Sequence, residues 1–148
     1  EPVPSFSACY GAPFMPLHPT VYAKMLIKKM HESGVDVWLV NTGWTGGPYG
    51  IGNRMELKYT RAMINAAMSG ELDSMNGGNY HIHSVFNIMQ PRVCPNVPTS
   101  VLSPRQTWDD DENYYEKAYM LSAAFVKNFE KFIDKADNEI LSGAPNTK

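Results

Sequence analysis

Three residues that follow a glycine-rich loop, Arg54, Met55 and Thr60, have side chains that together could bind a nucleotide. An arginine guanidinium can stack on a purine or contact a phosphate, and a neighbouring apolar side chain can cover the ring. A hydroxyl at the start of a helix can bond to the base or the ribose. The spacing alone equally allows Arg54 to be a surface charge and Thr60 to be only a helix cap. Both interpretations stay open at this point.

The loop before these residues contains glycines at positions 43, 46, 47, 50 and 52, with a proline at 48. Glycine permits positive φ and lets a ligand approach the backbone closely. The glycines do not have the spacing of a P-loop, which ends in Gly-Lys-Ser or Gly-Lys-Thr, so the loop is not predicted to hold phosphates. A ligand site and a purely structural connection both fit this pattern.

Other residues whose side chains could bind a metal or take part in catalysis are better explained by structural roles. His81 and His83 could point the same way from a strand, as two metal ligands would, but no Asp, Glu or third His lies near them in sequence. His18 precedes a predicted helix, where we expect it to make structural hydrogen bonds. The acidic run 109–112 could bind a metal, yet a solvated helix cap accounts for its charge.

The sequence contains no pattern for nucleophilic catalysis around its serines and cysteines. Cys9 and Cys94 are too few for a disulfide framework, which fits a reducing compartment, and we interpret them as small apolar fillers. Paired catalytic carboxylates and zinc-ligand spacing are also missing. The sequence therefore predicts no self-contained catalytic machinery.

Helices and strands alternate along the first half of the chain. The apolar spacing predicts a helix over 21–33, capped by Thr20 and ended by Gly34. The apolar run 35–40 predicts a strand directly after it, and such a short joint is typical of an α/β layer.

After the loop, alternation over 54–58 predicts a second strand, which leads into a helix from residue 58 or 60 to Met68, ending at Gly70. Residues 73–79 predict a turn and 80–88 a third strand with apolar residues on one face.

Proline dominates two segments. Residues 1–19 are predicted to be irregular but packed on the body by their aromatic side chains, and 89–107 to have no regular structure beyond short extended pieces. A third helix is predicted from the acidic run to about residue 133 or 134, with a stripe of phenylalanines. The polar tail 136–148 is predicted to be flexible.

Composition bounds the class of protein. The chain has 148 residues, the length of one domain, and 43% hydrophobic content, which is enough for a core. A net charge of −2 argues against a protein that binds nucleic acid or an anionic membrane. No apolar run approaches the roughly 20 residues that span a bilayer. We expect a cytoplasmic protein, and because the chain begins with Glu-Pro rather than Met, a piece of a longer one.

Several long motifs, in order, resemble ATP-dependent phosphoenolpyruvate carboxykinase, in its C-terminal part. They are FSACYGAPFMPLHP (6–19), WLVNTGWTGGPYGIGNRM (38–55), KYTRA (58–62), SPRQTW (103–108) and FVKNFEKF (125–132). The departures are small: Asn53 stands where Lys is common, Ser103 stands where Asn or Asp is usual, and 75–80 looks like a lineage-specific insertion. None of them touches the nucleotide positions.

The resemblance implies an enzyme of gluconeogenesis that converts oxaloacetate and ATP to phosphoenolpyruvate, carbon dioxide and ADP, with Mg²⁺ and Mn²⁺. It implies that Arg54 and Met55 line the adenine side of the ATP pocket and that Thr60 completes it. The P-loop, the metal ligands and the oxaloacetate-binding arginines would lie in upstream sequence. A segment with only the base pocket should be inactive alone, since phosphoryl transfer depends on positioning and metal ions.

The implied fold is an α/β, partial mononucleotide-binding domain spanning 1–148, with a mixed sheet and about three main helices. Separated from the rest of the enzyme, such a piece would expose surface meant for missing strands, so we expect it to self-associate. The alternative is a non-catalytic interaction module on the same scaffold, since the chain lacks a P-loop and carries a long proline-rich connection.

Overall fold

A computed structural model describes residues 5–73 and 79–148 and shows an α/β chain. The helices in those ranges are α1 (Pro19–Ser33), α2 (Leu57–Met68), α3 (Thr99–Leu102), α4 (Asp111–Phe129) and α5 (Asn138–Ser142). The strands are β1 (Trp44–Thr45), β2 (Asn53–Arg54), β3 (Tyr80–Ile82) and β4 (Met89–Pro91). The predicted α/β class is confirmed, and α1, α2 and α4 correspond to the three main helices. The predicted turn at 73–79 and the insertion at 75–80 fall largely outside the described residues.

The strands form two separate antiparallel pairs, β1 with β2 and β3 with β4. The prediction of one mixed sheet is therefore wrong for the part of the chain that the structure describes. Each pair is joined by a short loop, which suits a hairpin, whereas a parallel pair needs a crossover of about a dozen residues or more. Strand β2 ends at Arg54, so the predicted strand over 54–58 is also wrong.

Residues 35–40, the predicted strand after α1, are not assigned to any strand. Within the described residues their backbone groups make no hydrogen bond to another strand. The side chains of Val37 and Leu39 are 49% and 63% exposed. An apolar run becomes a strand only when a neighbouring strand satisfies its N–H and C=O groups.

Helix α1 begins at Pro19, and its N-cap is His18 rather than the predicted Thr20. The His18 Nδ1 accepts from the backbone N–H of Thr20 at 3.4 Å. This confirms the structural role expected for His18. The helix ends as predicted, with Gly34 in the left-handed region at φ 60°.

The predicted strand over 80–88 stops at Ile82, because His83 organises a turn. Its Nδ1 accepts from the N–H groups of Val85 and Phe86 at 3.1 and 3.2 Å. His83 is 7% exposed and His81 stays on β3 opposite Gln90, so the two imidazoles do not form the matched pair that two metal ligands would need. The structural interpretation of His83 is confirmed.

Helix α4 begins at Asp111, and its N-cap is Asp110, whose carboxylate accepts hydrogen bonds from the N–H groups of Glu112 and Asn113. This confirms that the acidic run caps the helix. The helix ends at Phe129 and continues as a 3-10 turn over Glu130–Lys135. Phe125 remains 44% exposed, so the phenylalanine stripe is only partly covered.

The tail contains helix α5 and is held to the body by Asn146. The backbone oxygen of Asn146 accepts from the fully buried hydroxyl of Ser122 at 2.7 Å, and its side-chain amide donates to Ser84 O at 2.7 Å. The flexibility of the tail remains a prediction, but the structure gives it defined contacts.

The buried side chains form two small clusters. One lies between α2 and the proline-rich connection, and the other lies under α4; their members are Ala66, Leu72, Cys94, Val97 and Leu102 in the first and Val85, Tyr114 and Ala118 in the second. The connection contains α3 and a 3-10 turn at Pro104–Thr107, so the prediction that it has only extended pieces is wrong.

The N-terminal segment forms two 3-10 turns, at Ala8–Tyr10 and Ala12–Phe14. The predicted packing of its aromatic side chains is confirmed for Phe6, whose ring stands edge to face with Phe125 of α4 at 5.1 Å. It is wrong for Tyr10 and Phe14, which are 84% and 87% exposed. Cys9 is also exposed, which contradicts its interpretation as an apolar filler, whereas Cys94 is 3% exposed and fits it.

Candidate functional site

The hairpin β1–β2 carries the candidate site and brings Arg54 opposite Trp44. The backbone N–H of Met55 donates to Gly43 O at 2.8 Å, which closes the hairpin at its open end. Within the loop, the N–H groups of Ile51 and Gly52 both donate to Pro48 O. The predicted glycine loop is thus a compact turn, which positions the end of β2 and the connection to α2.

The loop packs too tightly for side chains at its centre. A Cβ on Gly52 would overlap Gly47 O and lie 2.6 Å from Thr45 O. Gly47 has φ 146°, in the range that favours glycine. The glycines that lie in this turn therefore serve its geometry, which is the structural alternative left open by the sequence.

Arg54 ends β2 with an exposed side chain, and its guanidinium has no hydrogen bond or ion pair among the described residues. The nearby Lys58 differs, since its ammonium lies 2.6 Å from Glu56 Oε2 and that hydrogen bond raises the pKa of Lys58. Arg54 is thus a cation available to an external group, and such a planar cation suits a base or a phosphate.

Thr60 lies in the first turn of α2, whose N-cap is Glu56. The interpretation of Thr60 as an N-cap is therefore wrong. Thr60 is 6% exposed, and its hydroxyl has no hydrogen-bond partner in ranges 5–73 and 79–148. The hydroxyl oxygen nevertheless keeps some solvent-accessible surface, so it is not completely enclosed by the protein. Met55 is 9% exposed and lies between the two polar residues in sequence.

These three residues sit on one junction between β2 and α2, with a cation on the outside and an apolar side chain and a hydroxyl in the buried part. Such a set can bind a flat, polar ligand but supplies no acid–base pair.

Trp44 and Tyr49, which sequence reasoning did not select, stand edge to face beside this junction, with ring centroids 5.4 Å apart. The sequence signal for these two aromatic residues was their position on either side of Gly46 and Gly47 in the loop.

Thr107 is a third residue that sequence reasoning missed. Its hydroxyl is bonded to the Thr45 hydroxyl at 3.1 Å and accepts from the Gly46 N–H at 3.1 Å. The available signal for it is its place in the motif SPRQTW, which occurs in the resemblance to the family.

Two concavities in the described part of the chain lie away from Arg54. One, of about 480 Å³, is bounded by residues 35–40 and the end of α2, including Trp38, Ile64 and Met68. The other, of about 190 Å³, lies between β3, β4 and the α3 region and includes His81 and Arg92. Arg54 lines neither of these two concavities, and its side chain is exposed.

No group of three or more His, Cys, Asp or Glu side chains in the described residues could hold a metal ion. These residues do not fit a Mg²⁺ or Mn²⁺ site. No helix in the same part of the chain combines the length and apolar character needed to cross a bilayer.

Comparison with known proteins decides the family. A family profile described as phosphoenolpyruvate carboxykinase matches residues 1–100. The chain belongs to the ATP-dependent phosphoenolpyruvate carboxykinase family. The resemblance seen in the sequence is thus confirmed.

Curated relatives of this carboxykinase-family chain match it over nearly all of its length. The phosphoenolpyruvate carboxykinase (ATP) of Flavobacterium johnsoniae is 60% identical over all of the chain and 27% of its own length. That of Christiangramia forsetii is 59% identical over 98% of the chain and 27% of its own, and that of Dictyostelium discoideum is 44% identical over 98% and 25%. The chain spans about a quarter of the length of these relatives.

Proposed function

We propose that this chain forms the adenine side of the ATP site in an ATP-dependent phosphoenolpyruvate carboxykinase. The observation that carries the proposal is the junction of β2 and α2, which holds the exposed, unpaired guanidinium of Arg54, the apolar Met55 and the Thr60 hydroxyl without a partner in the described residues. Arg54 stacks on or bonds to the nucleotide, Met55 covers the base, and Thr60 donates or accepts at its polar edge.

The complete enzyme converts oxaloacetate and ATP to phosphoenolpyruvate, carbon dioxide and ADP, as a carboxy-lyase of gluconeogenesis in the cytoplasm. The naming of relatives as ATP-type carboxykinases supports this activity. The free thiols of Cys9 and Cys94 are compatible with a reducing compartment. Mg²⁺ and Mn²⁺ are assigned to the rest of the protein, because the described residues here do not fit a metal site. This segment alone is inactive.

The rest of the same enzyme is the principal partner of this chain. The chain exposes 10625 Å² of surface, whereas a folded monomer of its mass exposes about 7,600 Å². Many large apolar side chains are exposed, including those of Val37 and Leu39 in residues 35–40, which pair with no strand in the described part of the chain. The same exposed surface suits a second candidate function, in which the chain is a non-catalytic module that binds a partner through these apolar side chains. The kinetic test below distinguishes this interaction module from the ATP-site function.

The test is steady-state kinetics of the complete enzyme with Arg54→Ala. Loss of a charge-assisted contact of about 1.5–3 kcal/mol should raise the KM for ATP by about 10- to 150-fold. The KM for oxaloacetate should change little, because that substrate contacts other residues. Arg54→Lys should recover only part of the loss, since an ammonium lacks the planar face of a guanidinium.

Arg61→Ala is the matched control, because Arg61 is an exposed arginine on α2 with no ion pair in the described residues. It should leave the KM for ATP unchanged. Unchanged ATP kinetics in Arg54→Ala, or an equal rise in Arg61→Ala, would remove the assignment. A catalytically silent complete protein that binds no ATP analogue would favour the interaction module instead.

A further inference from the structure

We infer that Thr107 is a positioning residue for the nucleotide site: its hydroxyl holds the β1–β2 hairpin against the segment before α4, and so sets the place of Arg54. The inference rests on the proposed function of Arg54. Thr107 makes no hydrogen bond to Arg54, Met55 or Thr60 in the described residues, and it lies 53 positions after Arg54 in the sequence.

The Thr107 hydroxyl uses all of its hydrogen-bonding capacity. It donates to Pro104 O at 2.7 Å, and it accepts from the Gly46 N–H and from the Thr45 hydroxyl, both at 3.1 Å. A threonine hydroxyl has one donor and two acceptor lone pairs, so three bonds saturate it. Because the Thr107 hydroxyl donates its only proton to Pro104 O, the Thr45 hydroxyl and the Gly46 N–H must both donate to the Thr107 oxygen.

The backbones also meet closely at this point. A Cβ built on Gly46 would lie 3.0 Å from Thr107 O, and Gly46 has φ 78°. Glycine at position 46 therefore lets β1 lie directly against residue 107. Any displacement of residue 107 would be passed to β1 and, through the ladder, to Arg54 opposite Trp44.

The segment that carries Thr107 is itself anchored to α4. Arg105 forms an ion pair with Asp111 in the first turn of α4. Trp108 packs edge to face on the buried ring of Tyr114, with ring centroids 5.7 Å apart. Thr107 lies between these two anchors, so its hydroxyl joins the hairpin to the α4 core.

The hairpin needs such a support because it is short. Two strands of two residues each have only a few ladder bonds, and an isolated two-stranded hairpin is marginally stable in water. Small displacements of a binding group reduce binding and rate steeply. Loss of the Thr107 hydroxyl should therefore weaken ATP binding while the rest of the active site is kept.

The experiment compares Thr107→Val, Thr107→Ser and Thr99→Val in the complete enzyme. Valine keeps the shape of threonine and removes all three bonds, whereas serine keeps the hydroxyl. Thr107→Val should raise the KM for ATP by about tenfold and leave the KM for oxaloacetate within about twofold. Thr107→Ser should restore the KM for ATP to within about threefold of the original value. Thr99 is an exposed threonine of the neighbouring helix, and its variant should behave as the original enzyme.

An unchanged KM for ATP in Thr107→Val would overturn the inference, as would a serine variant as impaired as the valine variant. A rise in KM for both substrates would indicate a general structural role and would also overturn it. Should Thr107→Val fail to fold, Thr45→Val replaces it, because it removes one bond and keeps the Gly46 N–H contact. It should raise the KM for ATP by about two- to fivefold, and no rise would count against the inference.

Arg54→Ala in the same series separates this inference from the proposed function. A rise in the KM for ATP in Arg54→Ala without one in Thr107→Val overturns only the positioning role. No rise in either overturns both. If Thr107 acts through Arg54, adding Thr107→Val to Arg54→Ala should raise the KM for ATP no further, and additive effects would contradict that route.

Discussion

His83 and Tyr114 share a 2.7 Å hydrogen bond between Nε2 and the phenolic oxygen, which joins the turn after β3 to helix α4. The other ring nitrogen accepts from the N–H groups of Val85 and Phe86. Because Nδ1 accepts from two donors, the proton of the neutral ring lies on Nε2, and His83 donates to Tyr114. One imidazole therefore ends the strand, shapes the turn and fixes it to the core.

Tyr114→Phe should lower the free energy of unfolding by about 1–3 kcal/mol, because it leaves the Nε2–H of a buried histidine without its partner. Tyr115→Phe is the matched control, since Tyr115 is a half-buried neighbour on α4 whose hydroxyl has no hydrogen bond in the described residues. Urea unfolding of both variants measures the difference. Equal losses in the two variants would contradict a special role for the His83 contact.

Stability should fall in mildly acidic solution because of the same histidine. Burial, and then the neighbouring His81, lower the pKa of His83 below its ordinary 6.5. Below pH 6.5 the unfolded chain therefore binds a proton that the folded chain does not, so the free energy of unfolding decreases as the pH falls. The decrease ends once the pH passes the lower pKa of the folded state.

Urea unfolding between about pH 7.5 and 5 would measure this slope. His83→Gln should reduce the slope, because glutamine does not titrate, while His31→Gln should retain it, because His31 is an exposed side chain on α1. A slope that survives His83→Gln unchanged would assign the effect to another group.

Gly52→Ala should be the most damaging alanine substitution in the loop, because the new Cβ meets the backbone oxygens of Gly47 and Thr45, which cannot move aside cheaply. We expect a loss of stability of about 1–3 kcal/mol and, in the complete enzyme, a raised KM for ATP. Gly143→Ala is the control, since its Cβ would meet only Ile140 O at an ordinary 3.6 Å. Normal ATP kinetics in Gly52→Ala would show that the loop does not set the nucleotide site.

The 148-residue chain by itself should self-associate, because residues 35–40 present an apolar segment whose backbone groups are unpaired within the described ranges 5–73 and 79–148. Sedimentation velocity at rising concentration should show dimers or larger species. Val37→Lys should reduce association, since a lysine opposes strand pairing, and Thr147→Lys, with the same charge at an exposed site in the tail, should not. A clean monomer at all concentrations would contradict this prediction.

The sequence was sufficient where the determining forces are local. The bounds of α1, α2 and α4 were predicted to within a few residues, apart from the C-terminal end of α4, because apolar periodicity, a glycine stop and an acidic cap act within one or two turns of helix. The family was equally accessible, since several long motifs occur in order. The site residues Arg54, Met55 and Thr60 followed from that resemblance, and their nucleotide role remains a prediction.

Strands were predicted poorly because each depends on a partner elsewhere in the chain. Residues 35–40 have the composition of a strand but find no neighbour in the described residues, and the run from Tyr80 ends at Ile82 because the imidazole of His83 takes up the next backbone donors.

The support of the candidate site was likewise decided by tertiary structure. Nothing in the spacing of Thr107 and Gly46 indicates that one hydroxyl joins them, since a hydrogen bond between distant residues depends on packing that local sequence does not encode. The sequence by itself determined the helices, the family and the identity of the candidate binding residues. Only the tertiary structure decided which backbone groups were paired, and which side chain holds the hairpin that carries Arg54.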